Sequence, residues 1–277
     1  MSSSDHTSHP ISVVIITHQN PDYVRLCLRS LYTHQDTIGH QVVLVVDGPD
    51  PATEAIVEQE FPLVDMVVFP VNKGQTIAHN TGVTLATNDR ILVVNDDNVF
   101  PPHWDTSLNA AFKPDHVLTP NQIEPRPSIF PDFIIKDFGI TADTFEFDAY
   151  AKFADIISRN AWQYSKAGQT WPLFMEKKWY MILNGIDNQF PSPAVADWDF
   201  FLRAELAGLT CLRIINVAFY HFTSVSAKKT PESLFKHQSA ELQSFEYFEW
   251  KWGYLPRRNE LNSAKPATSP VNGISFT

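Results

Sequence analysis

The sequence predicts an α/β fold with a Rossmann-like, mostly parallel sheet flanked by helices. Two observations carry this. Short β-branched apolar runs alternate with segments whose apolar residues recur at helical spacing, joined by short connections. Three of these runs end directly in polar clusters, as expected where the carboxyl ends of strands open onto a binding crevice.

ISVVIIT at 11–17 reads as a strand covered on both faces. Asn20 stands at the cap of a helix with Pro21 first, and Val24, Cys27, Leu28 and Leu31 form its buried stripe. VVLVV at 42–46 is a second strand ending in Asp47 and Gly48, after which Asp50 and Pro51 open a second helix. MVVF at 66–69 is the third strand, and Asn72, Lys73 and Gly74 turn into a helix from about Thr76 to Ala86. ILVV at 91–94 is the fourth strand, running straight into Asn95, Asp96, Asp97 and Asn98. The polar strand ends are therefore Thr17 with His18, Asp47 with Gly48, and Asp96 to Asn98.

From 121 to about 190 the rhythm breaks, with many prolines and aromatics, and loops and short elements forming a binding wall are expected there. Trp162, Trp171 and Trp179 lie in this stretch as candidates for stacking or for core. DWDFFLRAELAGLT restores a helix ended by Gly208, and CLRIINVAFYHF follows as a strand. A last helix opens with Thr230 and Pro231 and runs to about Trp252. The expected organisation is a disordered 1–10, one domain with halves at 11–120 and 121–230, and a C-terminal helix and tail at 231–277.

The 277 residues suffice for one large α/β domain, and 44% apolar with 19% charged residues excludes both a disordered polymer and a membrane protein. No apolar run is long enough to cross a bilayer, and MSSSDHTSHP lacks the features of a secretory signal. The cytoplasm is the expected location, with peripheral membrane attachment left open. A net charge of -10 argues against a surface that holds duplex nucleic acid nonspecifically. The two cysteines, Cys27 and Cys211, indicate neither a disulfide framework nor a zinc site and are expected in the core.

Asp96 and Asp97 carry the chemistry most directly. Adjacent carboxylates converging at a sheet edge repel one another, and a hard divalent cation relieves that repulsion. Read from these residues alone, capping of the following turn is an equal alternative.

The ordered set ISVVIITHQN, LVVDGPD, NKGQTIAHNTGV, ILVVNDDNVFPPHW, NGIDNQF, ADWDFFLRAELAG and YHF resembles the family 2 glycosyltransferases, which have the GT-A fold. The likeness runs over about 11–225, with KWG at 251–253 as a weaker element. It implies a nucleotide-sugar-binding first half and a catalytic, acceptor-binding second half.

By this resemblance Asp96, Asp97 and Asn98 occupy the motif that contacts the ribose and a catalytic Mn2+ or Mg2+. Asn98 stands where the family often has a third aspartate, and its amide oxygen can ligate without adding charge. His221 resembles the histidine that completes the metal site in part of the family. On the donor side stand Thr17, His18, Asp47 for the nucleobase, Asn80 near the nucleoside, and Lys228 with Lys229 over the diphosphate.

Asp197 and Asp199 match the family's catalytic acidic motif, with Ala196 in place of its leading glutamate. Asp197 takes the place of the general base, which an ordinary aspartate, ionised well below neutrality, can serve. The implied reaction is inverting transfer from a nucleotide-diphosphate sugar, UDP favoured and GDP the other candidate, to an acceptor hydroxyl. Glycans, lipid-linked sugars and nucleic acid all remain open as acceptors. A sugar nucleotidyltransferase would need a glycine-rich basic loop where THQNPDY stands. A non-catalytic nucleotide-sugar or glycan-binding protein stays in view because of Asn98 and Ala196.

Overall fold

The computed structural model describes residues 9–127, 132–166, 170–223 and 231–254. The expectations for Lys228, Lys229, Thr230 and most of both termini fall outside these residues.

The first half follows the expected rhythm. Strands β1 (Ile11–Thr17), β2 (Gln41–Val46), β3 (Asp65–Val68) and β4 (Arg90–Asn95) pair in parallel, and α1 (Pro21–His34), α2 (Pro51–Glu60) and α3 (Gln75–Leu85) make the crossovers. Alternation along β1 explains its unbroken apolar run. Val14 and Ile16 enter one core cluster with Ala78 and Val83 of α3, whereas Val13 and Ile15 enter another with Val24, Cys27, Leu28 and Leu31 of α1. Gly82 lets α3 lie directly on β1, since a Cβ there would collide with Val14. Asp50 caps α2 as expected, its Oδ1 accepting from the backbone N–H of Thr53 at 3.4 Å while Oδ2 accepts from Thr53 Oγ1 at 2.6 Å. Asn20 does not cap α1 with its side chain; the amide is drawn instead to Asp96.

The second half is more ordered than its composition suggests. After β5 (Asn98–Val99) and α4 (Trp104–Ala111), strand β6 (His116–Glu124) runs through position 120, so the division expected there falls inside a strand. A short β7 (Ile134–Ile135) pairs with β6, and a 3-10 turn precedes α5 (Phe147–Ser158). Then come β8 (Tyr164–Ser165), β9 (Leu173–Glu176), α6 (Lys177–Ile182), α7 (Ala196–Leu206), β10 (Thr210–His221) and α8 (Pro231–Trp252).

Eight strands of the ten-stranded sheet follow the order β3-β2-β1-β4-β9-β6-β10-β5, with β7 beside β6 and β8 beside β10 off this path, and β5, β8 and β9 run antiparallel to their neighbours. Helix α5 packs Tyr150 and Ala154 against Val99, Ala218 and Tyr220, forming a third apolar cluster. Cys27 and Cys211 are buried free thiols. Trp171 is core, Trp179 is half-buried with its indole N–H on Asp115, and Trp162 is exposed and stacked on Tyr164. No helix among the described residues is long and apolar enough to cross a membrane.

Candidate active site

Register brings the polar strand ends together. Thr17 aligns with Val46 and Ile16 with Asn95, so Thr17, Asp47 and Asp96 leave the sheet along one edge. Tyr220 pairs with Ile123 in parallel and His221 with Asn98 in antiparallel, which sets His221 between Glu124 and Asn98 on that same edge.

Asp96 and Asp97, both buried, take different partners rather than converging. Asp96 Oδ2 accepts from Thr17 Oγ1 at 2.6 Å and from Asn20 Nδ2 at 3.0 Å. Asp97 turns to the other side, its Oδ2 at 3.6 Å from His221 Nε2. The two residues form the turn between β4, which ends at Asn95, and β5, which begins at Asn98, and each carboxylate finds the strand end beside it.

Asp97 Oδ1 and Asn98 Oδ1 are buried without a hydrogen-bond partner among the described residues. Buried oxygens of this kind cost free energy unless a donor or a cation meets them. With His221 they offer two oxygens and an imidazole nitrogen, a donor set suited to Mn2+ or Mg2+. Among the described residues no three His, Cys, Asp or Glu side chains are gathered tightly enough to enclose an ion by themselves. The amide of Asn98 therefore matters to the fit.

Asp47 is held firmly. Its carboxylate accepts from the backbone N–H of Lys73 at 2.6 Å and of Gly74 at 3.0 Å, so it also organises the turn into α3. His18 Nδ1 lies 2.7 Å from Asp47 O. A carbonyl only accepts, so Nδ1 carries the proton.

Asn80, expected near the nucleoside, is engaged within the protein by both ends of its amide. Its Oδ1 accepts from Tyr180 Oη at 2.8 Å and Ile186 N at 2.9 Å, and its Nδ2 donates to Ile186 O at 2.7 Å and Asn188 Oδ1 at 2.9 Å. An amide has four such positions, and all are spent latching the 180–188 segment onto α3. Lys228 lies outside the described residues.

Asp197 sits in the first turn of α7, 8% exposed. Val195, just before the helix, holds φ at 59°, a left-handed conformation that is costly for a β-branched residue. Thr170 Oγ1 donates to Asp197 Oδ2 at 2.8 Å, and Trp198 N donates to Oδ1 at 2.9 Å. Thr170 stands three residues before Leu173, which β9 pairs opposite Val93 of β4 in antiparallel.

Burial pushes the Asp197 carboxyl up to about 6, against the pull of the Thr170 and Trp198 hydrogen bonds. The expectation of an ordinary aspartate is corrected here. A carboxyl with that value is still about nine-tenths ionised at pH 7, and is a far better proton acceptor than a surface aspartate.

Asp199 has a structural task. It accepts from Arg203 Nε at 2.8 Å, Lys251 Nζ at 2.7 Å and Trp252 Nε1 at 2.9 Å. Lys251, fully buried, also bonds Asp187 Oδ2 at 2.7 Å. The KWG segment thus clamps α8 onto α7. Sequence reasoning missed Thr170, Lys251 and Glu124. Glu124 followed the same rule as the other acidic strand ends, with Pro125 after it to mark the end of the strand.

The mostly parallel mixed sheet flanked by helices is a GT-A fold. Residues 12–134 match the family described as Glycosyl transferase family 2. The "Uncharacterized glycosyltransferase YibD" of Escherichia coli (strain K12) is 26% identical over 114 residues, which are 40% of this chain and 33% of that protein. The match thus spans about a third of that relative's length.

Among solved structures, GalNAc-T7 with UDP, GalNAc and Mn2+ superposes with a TM-score of 0.63 at 11% identity, covering 90% of this chain and 49% of that one. The mannosyltransferase PcManGT from Pyrobaculum calidifontis, in complex with GDP-Man and Mn2+, gives 0.59 at 15% identity over 89% and 66%. Residues 1–349 of S. aureus TarS give 0.54 at 16% identity over 86% and 72%.

Proposed function

We propose that the protein is a divalent-cation-dependent, inverting glycosyltransferase that moves a sugar from a nucleoside diphosphate to an acceptor hydroxyl. One observation supports the reading above the rest: the strand ends bring Asp97, His221 and Asn98 to one sheet edge, in a chain that also carries a buried carboxylate, Asp197, of raised proton affinity. The cations and nucleotides bound by GalNAc-T7 and PcManGT support it by analogy of fold.

Asp197 accepts the proton of the acceptor hydroxyl as its oxygen attacks the anomeric carbon, and the bond from that carbon to the diphosphate oxygen breaks on the opposite face. Nucleoside diphosphate leaves with the electron pair, and the anomeric configuration inverts. Burial of Asp197 favours proton acceptance near neutral pH. A bound Mn2+ or Mg2+ would neutralise charge on the leaving diphosphate. Asp97, Asn98 and His221 would hold it, Asp96 is assigned to the ribose hydroxyls, and Asp47 with His18 to the base. UDP is the favoured nucleotide and GDP the second candidate.

The test is a screen of UDP- and GDP-sugars with Mn2+, reading thermal stabilisation and release of free nucleotide. One donor is expected to stabilise the fold by mass action and to be slowly turned over. Stabilisation without turnover against any acceptor would favour the binding-protein alternative. No stabilisation by any nucleoside diphosphate would overturn the reading.

A further inference from the structure

We infer that Glu124 is a positioning residue for the cation site, holding His221 in the tautomer that can ligate and supplying from behind the negative charge that Asn98 lacks. This inference rests on the cation-dependent reading above. Glu124 is 5% exposed at the end of β6, and its Oε1 lies 2.9 Å from His221 Nδ1. An ionised carboxylate only accepts, so the proton of a neutral His221 sits on Nδ1 and the lone pair of Nε2 points away from Glu124. Nε2 in turn faces Asp97 Oδ2 at 3.6 Å.

Nε2 and Asp97 Oδ2 thus face one another across a gap that a cation can bridge. Asp97 Oδ1 and Asn98 Oδ1 are buried without a hydrogen-bond partner among the described residues, and Asn98 is the residue paired with His221 across β5 and β10. Carboxylate, imidazole and metal in series is a common arrangement, because the carboxylate orients the ring and raises its basicity. Here it has an added consequence. An asparagine at position 98 removes a formal charge from the ligand set, and Glu124 restores one through the imidazole. Strand register enforces the geometry, since β10 lies between β6 and β5 and aligns Glu124, His221 and Asn98 across three strands.

The experiment follows Mn2+ by electron paramagnetic resonance in the presence of UDP, for wild type, E124Q, and the double variant N98D/E124Q. E124Q is expected to weaken Mn2+ binding roughly 10- to 100-fold, and the double variant to recover much of that loss. A purely structural glutamate would show no such rescue by charge at position 98. Mn2+ affinity of E124Q within twofold of wild type overturns the inference while leaving the cation-dependent reading intact. Absence of Mn2+ binding by the wild type with UDP overturns both. A second measurement needs no variant: nitrogen-15 NMR of the wild-type imidazole should find His221 protonated at Nδ1, and an Nε2–H tautomer refutes the assignment.

Discussion

Replacing Asp197 by asparagine separates what this residue does for chemistry from what it costs the fold. Burial raises its carboxyl from 3.8 to about 6. At about 1.4 kcal/mol for each tenfold change in proton affinity, the ionised form destabilises the native state by up to about 3 kcal/mol. The sign follows from the order of the two values. Below pH 3.8 the group is protonated in both states and costs nothing. Between 3.8 and about 6 the unfolded chain releases its proton while the native state retains it, so stability falls. Above about 6 the loss is complete. An asparagine side chain does not titrate, so D197N should match wild type near pH 3.5 and exceed it by up to about 3 kcal/mol at pH 7.5. For a domain of this size that corresponds to a rise in Tm of roughly 6 °C or more. Donor turnover should fall by about 10²- to 10⁴-fold, the usual contribution of a general base, with donor affinity retained. In wild type, kcat/KM should rise with pH to a plateau above about 6. Urea unfolding at the two pH values and a nucleotide-release assay read all of this. A D197N protein less stable than wild type at pH 7.5, or one that still turns over donor, would refute the reasoning.

Three further substitutions probe the supports of the site. T170V removes the hydroxyl that donates to Asp197; at about 1.5–3 kcal/mol for a hydrogen bond to a charged group, the acid limb of kcat/KM should move upward by about one to two pH units, and an unmoved limb would remove Thr170 from that role. K251M leaves Asp187 and Asp199 without their shared buried cation, so unfolding should become about 3–5 kcal/mol easier; a change below about 1 kcal/mol would show that the clamp carries little stability. G185A puts a methyl group against Asn80 Oδ1 at a backbone φ of 63°, and with Asn80 pinned by four hydrogen bonds the loss in thermal denaturation should be about 1–3 kcal/mol.

The first four strands were legible because each is buried on both faces, which writes an uninterrupted β-branched run into the sequence. Their observed ends lie within a residue or two of those expected. β6 and β9 were not legible. β6 carries Pro120 and buries Thr119, Asn121, Gln122 and Glu124, and β9 is four residues long. Both are strands because neighbours on either side demand pairing, and one segment's periodicity does not record its neighbours. The same reason hid Glu124, Thr170 and Lys251, whose importance lies in partners 97, 27 and 64 positions away. At Asn80 the polarity within an amphipathic helix was visible, but the loop that engages its amide was not.

Asp197 and Asp199 show why composition around a carboxylate, and not the motif that contains it, decides its use. They stand two residues apart in one helical turn, both buried. Two residues along an α-helix is a rotation of about 200°, so the pair faces opposite surroundings. On one side Arg203 and Lys251 meet Asp199 and Asp187, two cations against two carboxylates, and the formal charge of that interior cluster closes to zero. On the other side Asp197 receives hydrogen bonds from a hydroxyl and a backbone amide, both neutral. A cation there would favour the ionised carboxylate and lower its affinity for a proton. With Lys251 and Arg203 engaged by Asp187 and Asp199 on the α8 side, Asp197 keeps the raised proton affinity that its proposed role as base requires.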